Sequence, residues 1–243
     1  MTVQQFKVFR AIGIAFKAWF SNFIPITVLA AVLYAPAILL ALNMPGGGDA
    51  ISQGQLDAWQ HVIWVIVAGS SLVAPFLTYR VIQYMNGASS SIFTSVSHGF
   101  RGIVPVLILA IVTNVLSLVP FGGIIAIFFQ CAWFVAGPAA VVERLGPFAA
   151  LGRSSTLTNG RRGGIFGLCL VVGLSLVVVL FALLAPMVAH GGTSGDFKHI
   201  VITLVPVMCA YQLFIGVVQA VSYSLLRADK DGVSNDDLAK VFE

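Results

Sequence analysis

The sequence predicts an all-α membrane protein, a bundle of six transmembrane helices with amphipathic helices at its cytoplasmic interface. Of its 243 residues, 58% are hydrophobic and 9% are charged, whereas soluble domains carry about a quarter charged residues. The mean hydropathy is +0.97. Uncharged apolar runs also recur along the chain with lengths close to the ~20 residues that cross a bilayer. We therefore expect one polytopic membrane domain over residues 1–243.

Six apolar runs define the predicted spans, at 23–42, 59–79, 103–119, 121–142, 165–189 and 200–226. The third is the weakest, because it is short, contains Asn114 and is separated from the fourth only by the turn at Pro120. Residues 1–22 are predicted to form an interfacial helix before the spans. Residues 227–243 are predicted to form a cytoplasmic tail.

The distribution of Lys and Arg predicts the orientation of the spans. Twelve of the 13 Lys and Arg residues fall on one side, and only Lys198 falls on the other. Because cytoplasmic loops are rich in Lys and Arg, both termini and the connector 143–164 are predicted to be cytoplasmic. In that connector, Pro147 suits a first helical turn and Gly160 a left-handed helix end, so we expect a helix over 147–159.

Two basic segments are candidates for contact with lipid headgroups. Residues 3–20 predict an amphipathic helix in the membrane plane, with aromatic residues on one face and cations on another. The connector 143–164 adds four arginines, and each cation near an anionic surface is attracted by ~1 kcal/mol. An ordinary topology signal is the alternative interpretation of these charges. The headgroup candidates are Lys7, Arg10, Lys17, Arg101, Arg153, Arg161 and Arg162.

A weak internal similarity favours a threefold repeat. A shift of 80 positions aligns Pro25 with Pro105, and a shift of 61 aligns Arg101 with Arg162. The inferred units are 1–85, 86–142 and 143–228, each an interfacial segment followed by a hairpin of two spans. Chance similarity among apolar segments is the alternative.

Residues suited to catalysis are sparse. The spans contain no pair of carboxylates, and neither the Cys nor the His residues show the spacing of metal ligands or of a catalytic triad. We therefore expect neither an enzyme nor a cofactor, a metal or a nucleic-acid partner. A path for a polar solute would use the amide residues of the spans, although hydrogen bonding between helices is the alternative role. These path candidates are Asn114, Gln130, Gln212 and Gln219.

Two stretches, "VVERLGPFAALGRSSTLTNGRRGGIFGLCLVV" and "AVSYSLLRADKDGVSNDDLAKVFE", carry a family resemblance. The chain resembles a broad group of bacterial integral membrane proteins that includes the YciC-like proteins and the membrane domain attached to some glycerophosphoryl diester phosphodiesterases. The resemblance implies a helical fold in the bacterial inner membrane. It implies no phosphodiesterase activity, because the catalytic barrel of those enzymes is separate from this domain. The matching residues are Glu143, Gly146, Ala150, Leu151, Arg153, Ser154, Leu157, Thr158, Gly160, Arg162, Phe166, Tyr223, Leu226, Arg227, Lys230, Leu238 and Phe242.

These observations predict a non-enzymatic protein of the bacterial inner membrane. It would organise or sense the membrane, or scaffold a partner, while its basic cytoplasmic face contacts anionic lipids. A partner protein or a second copy of the chain could assemble with it. The alternative function is that of a transporter or channel-like protein for a small solute or a lipid.

Overall fold

A computed structural model of the chain describes residues 7–44, 52–85, 103–117, 122–189 and 197–232. Every regular element within these ranges is an α-helix, and none of the described residues forms a strand. The all-helical class predicted from composition is therefore confirmed for the described part of the chain. The helices are α1 (Val8–Ser21), α2 (Phe23–Leu42), α3 (Gln53–Met85), α4 (Ile103–Ser117), α5 (Gly122–Ala132), α6 (Ala136–Val142), α7 (Pro147–Thr158), α8 (Arg162–Ala189) and α9 (Phe197–Asp231).

Among the described residues, four helices are long and apolar enough to cross a membrane, namely α2, α3, α8 and α9. The predicted third span corresponds to the shorter helix α4, and the predicted fourth span to the pair α5 and α6. The prediction of six spans and that of a threefold repeat therefore remain predictions. At 33 and 35 residues and about 1.5 Å per residue, α3 and α9 are longer than a hydrocarbon core of ~30 Å.

The α3–α9 pair forms the centre of the bundle, and α2 packs against both helices. Glycines permit the closest approaches. A Cβ atom on Gly216 of α9 would lie 2.8 Å from a methyl group of Leu77 in α3, and one on Gly69 of α3 would lie 2.9 Å from the ring of Tyr34 in α2. A larger residue at either position would therefore require the facing side chain to shift, which is easier for the Leu77 methyl group than for the buried Tyr34 ring.

The second half of α8 has an apolar surface on every side. Leu174, Val177, Val178, Val179 and Phe181 are all exposed in the isolated chain. A helix that is hydrophobic around its whole circumference is stable only in an apolar surrounding such as lipid. This surface supports the assignment of α8 as a membrane span.

The predicted fourth span is not one continuous helix, because the chain leaves the helical conformation at residues 133–135. Pro138, which lies just after this interruption, has no N–H to donate to the carbonyl of Phe134, and its ring would clash with that carbonyl in a regular helix. The amide of Ala136 bonds instead to the carbonyl of Trp133, at 3.0 Å. As a result, the carbonyl of Ala132 and the amide of Val135 lose their helical partners.

Candidate functional site

Helix α7 supplies hydrogen-bond partners for the interruption between α5 and α6. The hydroxyl of Ser154 donates to the Ala132 carbonyl at 2.9 Å and accepts a hydrogen bond from the Val135 amide at 3.3 Å. The hydroxyl of Thr158, one turn further along α7, donates to the same carbonyl at 3.2 Å. Both side chains are fully buried, so α7 is fixed against the interruption by hydrogen bonds shielded from water.

Pro147 is the first residue of α7, and Gly160 has a φ of 76° just after its end. The helix predicted over 147–159 is therefore confirmed, with its end one residue earlier, at Thr158. The left-handed conformation at Gly160 lets the chain turn directly into α8 at Arg162, three residues before the predicted start of the fifth span.

Charged side chains meet where α7, the residues after α6 and the end of α9 come together. We call this group the α7 cluster. The carboxylate of Glu143 accepts hydrogen bonds from Nε of Arg153 at 2.9 Å and from the Tyr223 hydroxyl at 2.9 Å. Arg227 donates to that hydroxyl at 3.0 Å, and its Nε lies 3.9 Å from Glu143. Arg153 and Arg227 also share the carboxylate of Asp231.

A further ion pair extends the α7 cluster along α9. Nε of Arg161 lies 3.0 Å from the carboxylate of Asp229, whose side chain is only 4% exposed. The cluster therefore contains three arginines and three carboxylates, and its formal charge is zero.

The electrostatics of the α7 cluster keep Arg153 charged. Burial by itself lowers the pKa of the Arg153 guanidinium, but the hydrogen bonds to Asp231 and Glu143 outweigh it, so the net pKa lies above its ordinary value. A group whose pKa is raised on folding stabilises the fold at every pH below its unfolded pKa. The contribution of Arg153 is therefore retained across the neutral and moderately alkaline range.

The headgroup candidates of the connector thus already have partners within the chain. Arg153 and Arg161 belong to the α7 cluster, while Arg162 donates to the Ser155 hydroxyl at 3.1 Å and lies 4.9 Å above the ring of Phe128. This arrangement makes them poorer headgroup ligands than the sequence suggests, because a phosphate would have to compete with existing contacts.

The headgroup candidates of α1 differ in this respect. Lys7, Arg10 and Lys17 are exposed, and in the described ranges they form no ion pair. Arg101 lies outside the described residues.

Three of the four polar-path candidates line one cavity of about 240 Å³, which we call the glutamine cavity. Gln130 of α5 and Gln212 and Gln219 of α9 contribute its amides. The other walls come from α3, α4, α6, the interruption at Trp133 and Phe134, and Leu151 of α7. The side chain of Asn114, the fourth candidate, lies outside the part of the chain that the structure describes.

Sequence reasoning did not identify Asp229, Asp231 or Tyr223 as site residues. Residues 227–231 continue α9, which ends where Gly232 takes a φ of 66°. The spacing of Tyr223, Arg227 and Asp231 at intervals of four is a signal that places them on one helical face. Their pairing with Glu143 and Arg153 depends on the tertiary fold, which this spacing does not predict.

Within the described ranges, no group of three His, Cys, Asp or Glu side chains could hold a metal ion. The comparisons with known proteins give no relative: no family model, curated protein or solved structure matches the chain.

Proposed function

We propose that this chain is a non-enzymatic protein of the bacterial inner membrane, with six spans and both termini in the cytoplasm, and that it organises the anionic lipids of the cytoplasmic leaflet through α1. Four long apolar helices support a location in a membrane. The asymmetry of Lys and Arg supports the orientation. The observation that carries the proposal is the division of α1 into three faces.

The first face of α1 holds it on the bundle. Ala11, Ala15 and Ala18 are fully buried, and they recur at intervals of three and four residues, as one side of a helix does. Their small side chains let α1 lie close to α9 and α8. This contact is reinforced at one edge, where Phe214 of α9 packs 4.8 Å from the ring of Phe16.

The second face is aromatic and exposed. Phe9 is 82% exposed and Phe20 is 69% exposed, although Phe side chains are among those most often buried in water-soluble proteins. In a bilayer the same face would enter the boundary between headgroups and acyl chains, as the apolar face of an interfacial helix does.

The third face carries exposed cations, Arg10 and Lys17, and lies next to the aromatic face. An aromatic face in the acyl region therefore brings these two cations to the level of the headgroups. At ~1 kcal/mol for each cation near an anionic surface, the pair favours anionic over neutral lipid by roughly thirtyfold.

The test compares two variants of the full chain that lose equal charge. R10Q/K17Q removes the cations of α1, whereas K198Q/K230Q removes two cations outside it. The preference for anionic lipid is measured by quenching of tryptophan fluorescence with brominated phosphatidylglycerol and brominated phosphatidylcholine in mixed bilayers. We expect the preference for anionic lipid to fall at least tenfold in R10Q/K17Q and to stay unchanged in K198Q/K230Q. Equal preferences in the two variants would contradict the proposal.

A second candidate function is transport of a small solute, and the glutamine cavity is the observation that favours it. Its amides lie beside an interrupted helix, and interrupted helices form the substrate sites of many transporters. Proteoliposomes that shrink or swell in a gradient of a neutral solute no faster than protein-free liposomes would exclude this function for that solute.

A further inference from the structure

We infer that the glutamine cavity is a binding site for an uncharged molecule with several hydroxyl or amide groups and up to about ten non-hydrogen atoms. The inference goes beyond contact of α1 with lipid. It requires binding but no passage across the membrane, so it is independent of the transport candidate.

The geometry of α9 places two amides on one side of the cavity. Gln212 and Gln219 are seven residues apart, about two turns, and therefore lie on the same face of α9. Gly216 lies between them on that face and also lines the cavity.

The three amides have capacity to bind a ligand. Each primary amide offers two N–H donors and one carbonyl acceptor. Within the described ranges, Gln130, Gln212 and Gln219 form no hydrogen bond with another residue. Polar groups in a membrane bundle that lack a protein partner are costly unless water or a ligand satisfies them. A ligand with several donors and acceptors would satisfy them together.

The lining also determines the charge of the ligand. Among the described residues, those that line the cavity carry amides, one serine hydroxyl, and aliphatic or aromatic groups, and none of them is Lys, Arg, His, Asp or Glu. An ion taken out of water into such a site would have no opposite charge to compensate its lost hydration. The site therefore favours a neutral ligand over an ionic one of the same size.

The volume indicates the size of the ligand, or part of a ligand, that the cavity would hold. The cavity measures about 240 Å³, while a cavity of ~150 Å³ accepts benzene, so roughly ten non-hydrogen atoms fit. Short polyols and small amides fall in this range. Two kinds of ligand have these groups. One is a free polyol, and the other is the hydroxylated end of a lipid headgroup whose phosphate stays outside the cavity.

The probes are glycerol and erythritol, with glycerate as the charged control of similar size. Binding to the full chain, purified in neutral detergent without glycerol, is measured by saturation-transfer difference NMR. We expect binding of both polyols and at least tenfold weaker binding of glycerate. Absence of polyol binding by the folded protein, or equal binding of glycerate, would overturn the inference.

Variants locate the binding site. Q212L and Q219L keep the volume of the side chain and remove its hydrogen bonds, and each should weaken polyol binding by roughly fivefold. A74L places a larger side chain in the same cavity and should abolish binding. Q60L is the matched control, since Gln60 is exposed and does not line the cavity, and it should bind like the unmodified chain.

Melting temperatures of the same variants separate ligand binding from helix packing. If the amides only join helices, Q212L will lower the melting temperature and leave polyol binding unchanged, which would overturn the inference.

Competition then identifies the source of the ligand. Displacement of erythritol by short-chain phosphatidylglycerol, but not by short-chain phosphatidylcholine, supports a lipid headgroup, whereas displacement by neither supports a free polyol.

Discussion

Replacing Glu143 with glutamine removes one negative charge from the α7 cluster and leaves Arg153 and Arg227 with Asp231 as their shared carboxylate. The side chains of Glu143, Arg153 and Arg227 are 17%, 24% and 16% exposed. Solvent therefore screens their interactions only in part. Glutamine keeps the size of the side chain and one carbonyl oxygen, so the variant tests charge rather than packing.

The magnitude follows from the contacts that are lost. The hydrogen bond from Arg153 joins two charged groups, for which net contributions are ~1.5–3 kcal/mol. Partial exposure places the value toward the lower end of that range. The bond from Tyr223 can be retained by the carbonyl of glutamine, whereas the two arginines lose a charge that offsets their repulsion. We expect a loss of about 2 kcal/mol in the free energy of unfolding. For a chain of this length that corresponds to a melting temperature ~4–8 °C lower.

The assay is thermal unfolding in detergent of E143Q, R153Q and the double variant. The double-mutant cycle should give a coupling energy of about 1–2 kcal/mol between the two positions, because residues in one ion-pair network are not additive. The matched control is D57N, which makes the same acid-to-amide change at an exposed carboxylate bonded only to Gln53 among the contacts described for its side chain. If E143Q melts within a degree or so of D57N, the α7 cluster does not hold the helices together as argued.

Two further predictions concern packing. S154A removes the hydroxyl that bonds to both the Ala132 carbonyl and the Val135 amide, and it should lower the free energy of unfolding by about 1–3 kcal/mol. Its control is T156A, which removes an exposed hydroxyl bonded within its own helix. T156A should change the free energy of unfolding by less than about 1 kcal/mol. G69A should destabilise the α2–α3 contact by about 1–3 kcal/mol. G54A, where an added Cβ meets nothing within 4 Å, should be neutral or stabilising by up to about 1 kcal/mol. Both pairs are compared by thermal unfolding, and equal shifts within either pair would refute the corresponding contact.

Local sequence signals predicted the local structure well. Pro147 and Gly160 delimit α7 as expected, because each acts through its own backbone preferences and needs no partner elsewhere in the chain. Hydrophobic runs likewise located the four long apolar helices, since burial in lipid depends on the composition of a segment alone.

The sequence failed where two distant segments act together. Asp229 and Asp231 lie 68 and 78 positions from the arginines that bind them, so the connector taken by itself carries unbalanced positive charge. The interruption of the predicted fourth span also depends on distant residues. A proline in an apolar run can be accommodated in a membrane helix, and the hydroxyls that stabilise the broken conformation come from α7 rather than from the span itself.

A single turn of α7 joins the three features of this part of the molecule. Leu151 lines the glutamine cavity, Arg153 binds the carboxylates of the α7 cluster, and Ser154 bonds to the interrupted span. Adjacent residues of a helix point about 100° apart, so these side chains face different neighbours from one rigid segment. Separating Arg153 from its carboxylates by moving α7 would therefore also withdraw Ser154 from the Ala132 carbonyl and Leu151 from the cavity wall. The ion pairs of the α7 cluster and one wall of the glutamine cavity therefore share a single helix, and we expect a change in the position of α7 to alter both.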